Sequence, residues 1–236
     1  MSPYFYHNFY FMLCIDRNIH RDFEGQLTVA NEAYEYFDNR FITFDVSKFA
    51  FVGNMVEAYF GMRDFDNAAK FLDIQESIKI PKQTNYRSYL INRCRLCLID
   101  DKPIQSYLPK KDSGFKDQDQ MFSLVRIYDQ LRNRNPIKKW SGLKKFRNDP
   151  TGLGLSLKIA RIWSETLKGN AEDQKEAAGK FIYRHLMDDP RSRMIIEFIL
   201  LDRPVDNMSQ YAWNPDVEIM PYEKMVEIIS RQKRDL

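Results

Sequence analysis

Four stretches of the chain carry residue types that could do chemistry. Cys94-Arg-Leu-Cys97 is a C-x-x-C, a spacing at which two thiolates can share a zinc ion or form a redox pair. Structural zinc wants four ligands, and no second pair exists. Cys14 and His20 are the only other soft donors nearby. The pair also falls inside a helical pattern, so buried core cysteines are the better reading. Asp112, Asp117 and Asp119 offer oxygens to a hard cation, but the glycine and distant glutamate of a calcium loop are missing from their places. Thr151-Gly-Leu-Gly154 could present backbone donors to an anion. It lacks the Lys-Ser/Thr pair of a phosphate loop and reads as a helix start.

The fourth stretch is Lys138-Lys139-Trp140-Ser-Gly-Leu-Lys144-Lys145-Phe146-Arg147. Cations interleaved with aromatics can neutralise phosphates while rings stack on bases. Lys138, Lys139, Trp140, Lys144, Lys145 and Arg147 are therefore the candidate nucleic-acid contacts. The plainer alternative is a short helix anchored by Trp140, Leu143 and Phe146 with its lysines in water. His7, His20 and His185 are scattered, with no pair spaced to ligate from one helical face. No catalytic residue, metal site or cofactor is expected. The chain is expected to bind and not to be an enzyme.

These residues must be held by helices. With 44% hydrophobic and 14% aromatic residues the chain can build a core. Nine glycines and ten prolines are too few for a fold of many tight turns. The formal charge of +3 is compatible with a polyanionic partner without requiring one. Three cysteines suit a reducing compartment. No apolar run reaches the roughly 18 residues of a membrane span. The stretch from Met1 to Tyr6 carries no visible targeting signal, so an intracellular location is expected, with the mitochondrion compatible.

Helical periodicity recurs along the chain. Tyr6, Phe9, Tyr10, Leu13 and Cys14 form a first stripe. Leu27, Ala30, Tyr34 and Phe37 form a second, and Val52, Met55, Val56 and Tyr59 a third. Phe65, Ala68, Ala69 and Leu72 follow, then Pro81, which halts a helix. Tyr86, Leu90 and Cys97 mark a fifth. Residues 101–119, with Pro103, Pro109 and Gly114, read as a connection between a helical-repeat region (1–100) and a C-terminal helical region (120–236). In the latter, stripes at Leu124–Leu131, Leu155–Trp163, Met194–Leu201 and Tyr222–Ile229 predict helices, with a short basic one over Trp140–Phe146 and another after Asn170.

Phe51 and Tyr86 open two helical patterns 35 residues apart, an interval typical of helical repeats. With Ala68 as the small residue of the second helix and Pro81 in the turn, residues 48–94 resemble a pentatricopeptide repeat and the start of its successor. The related tetratricopeptide pattern is matched by Met55, Tyr59, Phe65, Ala68 and Leu72, with Val56 at its glycine position and Gln75 at its second alanine. The resemblance implies an all-α fold of right-handed helix-pair repeats, α-solenoid-like, followed by a helical bundle. It implies a repeat core of Phe51, Met55, Tyr59, Phe65, Ala68, Leu72, Tyr86 and Leu90. Val52 and Lys82 stand at the family's base-reading places, and neither is an Asn, Asp, Ser or Thr. The implied role is then a structural part of a ribonucleoprotein, such as an organellar translation or RNA-processing assembly. Its partners would be other proteins, with RNA touched through non-specific phosphate contacts. The alternative is a tetratricopeptide-like protein–protein scaffold with no nucleic-acid contact.

Overall fold

The computed structural model describes residues 2–40, 44–78, 80, 84–110, 116–138, 152–168, 190–201, 203, 205 and 218–234. Among them lie nine α-helices, one short 3-10 turn at Gln105–Tyr107, and no strand. The helices are α1 (Pro3–Ile19), α2 (Phe23–Arg40), α3 (Asp45–Met62), α4 (Phe65–Ser77), α5 (Thr84–Ile99), α6 (Lys116–Arg132), α7 (Gly152–Thr166), α8 (Pro190–Leu201) and α9 (Tyr222–Arg234). The chain divides into two compact units. One comprises Met1–Cys97 with Gln105–Leu108, the other Leu98–Ile104 with Pro109–Leu236. The stretch expected to connect regions over 101–119 holds the 3-10 turn, and its end opens α6 at Lys116. The expected helices over Trp140–Phe146 and after Asn170 lie outside the described residues.

In the first unit α1 packs on α2, α2 on α3 and α3 on α4, and α1 also reaches α3. Ser2 caps α1 by accepting from the Tyr4 amide at 3.3 Å, and Pro3 occupies the first turn, where its missing N–H costs nothing. Arg21 turns the chain with φ 58°, and Arg63 does the same between α3 and α4 with φ 62°. Asp64 then caps α4 through the Asn67 amide at 3.1 Å. Gly61 leaves room for the Phe23 ring, which a methyl group there would overlap. The core gathers Cys14 of α1, Ala30, Ala33 and Phe37 of α2, and Phe51 and Met55 of α3. Two alanines one turn apart let α2 approach closely, and the Phe37 and Phe51 rings stack at 5.7 Å across the gap.

Beyond this cluster, buried Gln75 of α4 donates to the Phe49 carbonyl of α3 at 3.0 Å. Phe49 meets Tyr89 of α5 edge-on at 6.2 Å. Arg93 of α5 is buried, yet its guanidinium reaches Asp73 at 2.6 Å, Glu76 at 2.8 Å and the Tyr89 hydroxyl at 3.0 Å. Burial disfavours its charge. The bonds to Asp73 and Tyr89 more than offset that, and its pKa rises.

In the second unit α7 packs against α6 and α8, and α8 against α9. Trp163 is fully buried, with Tyr128 edge-on at 6.1 Å. Gln232 of α9 is a polar keystone. It accepts from the Trp163 indole N–H at 2.9 Å and donates to the Leu131 and Arg132 carbonyls at 2.8 and 3.1 Å. It thereby adds side-chain donors to the last carbonyls of α6, where the Leu131 carbonyl also accepts from the Arg134 amide at 3.0 Å. Tyr128 donates to the Ser156 carbonyl at 3.1 Å, and the Ser164 hydroxyl accepts from the Ile137 amide at 2.8 Å. The buried polar groups of this unit thus tie its helices together.

Candidate functional site

The outer face of α1 is the site. Eight large apolar side chains are conspicuously exposed among the described residues, and six of them, Tyr4, Phe5, Phe9, Phe11, Met12 and Ile19, lie on this helix. Single exposed apolar residues are ordinary, whereas a contiguous set is a mark of contact. At 100° per residue Phe5, Phe9, Met12 and Ile19 project along one stripe, with Tyr4 and Phe11 at its flank. The opposite face of α1 is covered. Tyr6 and Tyr10 pack against the core cluster, and Cys14 lies within it. Phe9 belongs to the expected first stripe with Tyr6, Tyr10 and Cys14, but it is half exposed, its ring meeting Tyr10 edge-on at 5.6 Å. An apolar helix offers two candidate inner faces, and only one could meet α2 and α3.

Polar anchors fix the orientation of α1. His7 Nδ1 lies 2.9 Å from the hydroxyl of buried Ser47 on α3. The imidazole stacks on Phe11 at 5.8 Å and leans on Phe51 at 5.5 Å. Burial lowers its pKa and favours the neutral ring. A histidine touching a serine invites comparison with a nucleophilic pair. Here the serine is only 3% exposed, so the hydrogen bond acts as a staple between helices. At the far end Arg17 pairs with Asp22 at 2.8 Å, and Asp22 accepts from the Gly25 amide at 2.9 Å, holding the turn into α2.

The expected repeat core is mostly interior. Phe51, Met55, Ala68 and Leu72 are buried. Tyr59, half-buried, packs on Phe71 at 5.1 Å. Phe65, Tyr86 and Leu90 are half-buried. The two aromatics at the 35-residue interval occupy different places: Phe51 is the seventh residue of α3, whereas Tyr86 is the third of α5. Their environments differ too. Phe51 stacks on Phe37, and Tyr86 stacks on Phe49 at 6.5 Å.

Of the basic stretch, Lys138 is exposed beyond α6. Lys139, Trp140, Lys144, Lys145 and Arg147 lie outside the described residues. The three cysteines are buried. Burial, helped by the charge of Glu57, pushes the Cys14 thiol up to about 12, far from thiolate chemistry at neutral pH. No cluster of three or more His, Cys, Asp or Glu suited to a metal occurs among the described residues. No helix there is long and apolar enough to cross a membrane. Compared with known protein families, curated proteins and solved structures, the chain matches no family model, no curated sequence and no solved fold.

Proposed function

We propose that this chain is a non-enzymatic docking protein whose contact surface is the outer face of α1. One observation carries the reading: the exposed apolar side chains are concentrated on a single helix that is anchored from behind. An apolar stripe on a rigid helix is what a partner helix recognises through residues at i, i+4 and i+7. Aromatic and methionine side chains, enriched at interface cores, dominate the stripe. Of the two roles raised by the repeat-like sequence, this supports the protein–protein scaffold.

The native size of the tagged chain in a nuclease-treated lysate tests the proposal. Wild type should run in an assembly larger than the lone chain. The double variant F9D/M12D, which places two charges on the stripe and replaces no residue of the buried core cluster, should run as the lone chain. Identical behaviour of the two would overturn the reading.

A ribonucleoprotein role is the second reading, favoured by the interleaved Lys138–Arg147 sequence and the exposure of Lys138. Its test is a salt titration of single-stranded RNA binding. Replacing Lys138, Lys139, Lys144 and Lys145 by Gln should flatten the slope of log affinity against log salt by about 0.7 for each phosphate that a lysine had neutralised. No binding by wild type at low salt would remove the RNA role.

A further inference from the structure

Beside the apolar face of α1 runs an acidic one on α2, and the pair of them describes the partner, an inference that rests on the docking reading above. From Pro3 to Ile15, α1 carries no Asp, Glu, Lys or Arg. From Phe23 to Asn39, α2 carries Glu24, Glu32, Glu35 and Asp38 and neither Lys nor Arg. Buried Phe23, Gln26, Ala30, Ala33 and Phe37 define the inner side of α2. At 100° per residue Glu24, Thr28, Glu32 and Glu35 fall on the opposite side, and all four are exposed. Asp38 is met by Lys48 at 3.4 Å. No cation or hydrogen-bond donor meets the carboxylate of Glu24, Glu32 or Glu35 among the described residues.

Tyr36 marks where the two surfaces join. Its ring meets Tyr6 at 4.7 Å and Tyr10 at 6.0 Å. One helical turn before it on α2 stands exposed Glu32. Beside Tyr10 on α1, ring to ring at 5.6 Å, stands half-exposed Phe9. The unanswered carboxylates therefore border the apolar stripe along one edge.

Charge restricts what can cover such a surface, because carboxylates at the rim favour cations opposite them and penalise like charge. A second copy would present its own α1, which has no cation from Pro3 to Ile15 to offer. Anionic lipid and RNA phosphates would be repelled by the row. A segment with one apolar side and one basic side answers both surfaces. We propose that the outer face of α1 receives an amphipathic helix of a partner protein. Its apolar side covers Phe5, Phe9, Met12 and Ile19, and Lys or Arg residues along one edge meet Glu24, Glu32 and Glu35. At 1.5 Å per residue the stripe from Phe5 to Ile19 is about 21 Å long, matching about four turns of helix. The acidic row from Glu24 to Glu35 spans about 16 Å of that length, within reach of cations spaced one turn apart.

The experiment uses the purified full chain and a fluorescent peptide of about 16 residues, Leu along one helical side and Lys along the other. A control peptide carries Glu for every Lys. Anisotropy at low salt should show the Leu/Lys peptide bound and the Leu/Glu peptide at least about tenfold weaker. E24Q/E32Q/E35Q, which replaces three exposed side chains, should weaken the Leu/Lys peptide about tenfold and remove most of its salt dependence. E32K/E35K should reverse the preference. F9Q/M12Q, which removes apolar contact without adding charge, should weaken both peptides, and unchanged helical melts should show that every variant stays folded.

Equal affinity for the two peptides, or wild-type binding by E24Q/E32Q/E35Q, would overturn the basic partner, while losses in F9Q/M12Q would keep the docking face. Leu/Lys binding that F9Q/M12Q leaves intact would overturn the proposal as well, since charge alone would then hold the peptide. Failure to bind either peptide would overturn the partner's chemistry and leave the docking reading to the lysate assembly. A wild-type dimer in sedimentation that F9Q/M12Q dissolves, or flotation with phosphatidylserine vesicles, would put a different occupant on the face and overturn this one.

Discussion

Helices α1 and α9 are built on opposite plans. Each inward face is a stripe about one helical face wide. On α9 it consists of Tyr222, Met225, Ile228, Ile229 and Gln232, all buried. The rest of that helix bears Glu223, Lys224, Glu227, Arg231, Lys233 and Arg234; Glu227, Arg231 and Arg234 are exposed, while Lys224 pairs with Asp101 at 3.2 Å and Lys233 donates to the Phe198 carbonyl at 3.0 Å. The inner face of α1 is formed by Tyr6, His7, Tyr10 and Cys14. Its outer face repeats the aromatic chemistry of the inner one, where α9 turns to charge. The difference teaches that a helix supplied with two apolar faces leaves one face over once its own unit is packed.

The contrast can be broken by paired methionines. Met225→Ala on α9 removes a fully buried side chain and should destabilise the second unit by about 3 kcal/mol. Met12→Ala on α1 should change stability by less than about 0.5 kcal/mol in dilute solution. Denaturant melts of both variants check this. A comparable loss for Met12→Ala would mean that the outer face of α1 is already covered within one chain.

A smaller effect should come from the polar member of the α9 stripe. Gln232→Leu fills similar space but orphans the Trp163 indole N–H and leaves two α6 carbonyls without their side-chain donor. The cost should be about 2 kcal/mol, visible as a lowered unfolding midpoint. A neutral result would show that the α9 face is held by apolar contact alone.

The smallest effect belongs to the inner face of α1 and depends on pH. Burial lowers the His7 pKa below its ordinary value of 6.5. As pH falls through 6.5, unfolded chains bind a proton that folded chains resist, so stability drops toward acid and is fully present above 6.5. His7→Gln keeps a partner for Ser47 but cannot titrate there. It should flatten the dependence of stability on pH below neutrality. An unchanged slope in pH-stepped melts would show that His7 is not held neutral between the helices.

Much of the helical framework was legible before folding. The stripes at Val52–Tyr59, Phe65–Leu72, Leu124–Leu131 and Tyr222–Ile229 lie on α3, α4, α6 and α9. Asp64, just ahead of the Phe65–Leu72 stripe, caps α4. The interior of α5 was less legible. Asn92, Arg93 and Arg95 are buried, although a polarity pattern would send them to water. Arg93 is held there by partners distant in sequence, Asp73 and Glu76, and Arg95 donates to Asn92 one turn away. The docking face was hidden for a different reason. Phe9 shares the 3.6-residue period with Tyr6, Tyr10 and Cys14 closely enough to join their stripe, and nothing local separates an inner phenylalanine from an outer one. A run of α1 without acid or base until Asp16 was the available signal that both sides were apolar.

The amino-acid order by itself set where helices form and which residues share a side of each, because backbone geometry, capping residues and proline act locally. Only the tertiary packing decided which side of α1 meets α2 and α3 and which stays open. That choice depends on Ser47 meeting His7 and on Phe51 meeting Phe37, contacts between residues far apart in the chain. Local periodicity carries no information about which neighbour arrives.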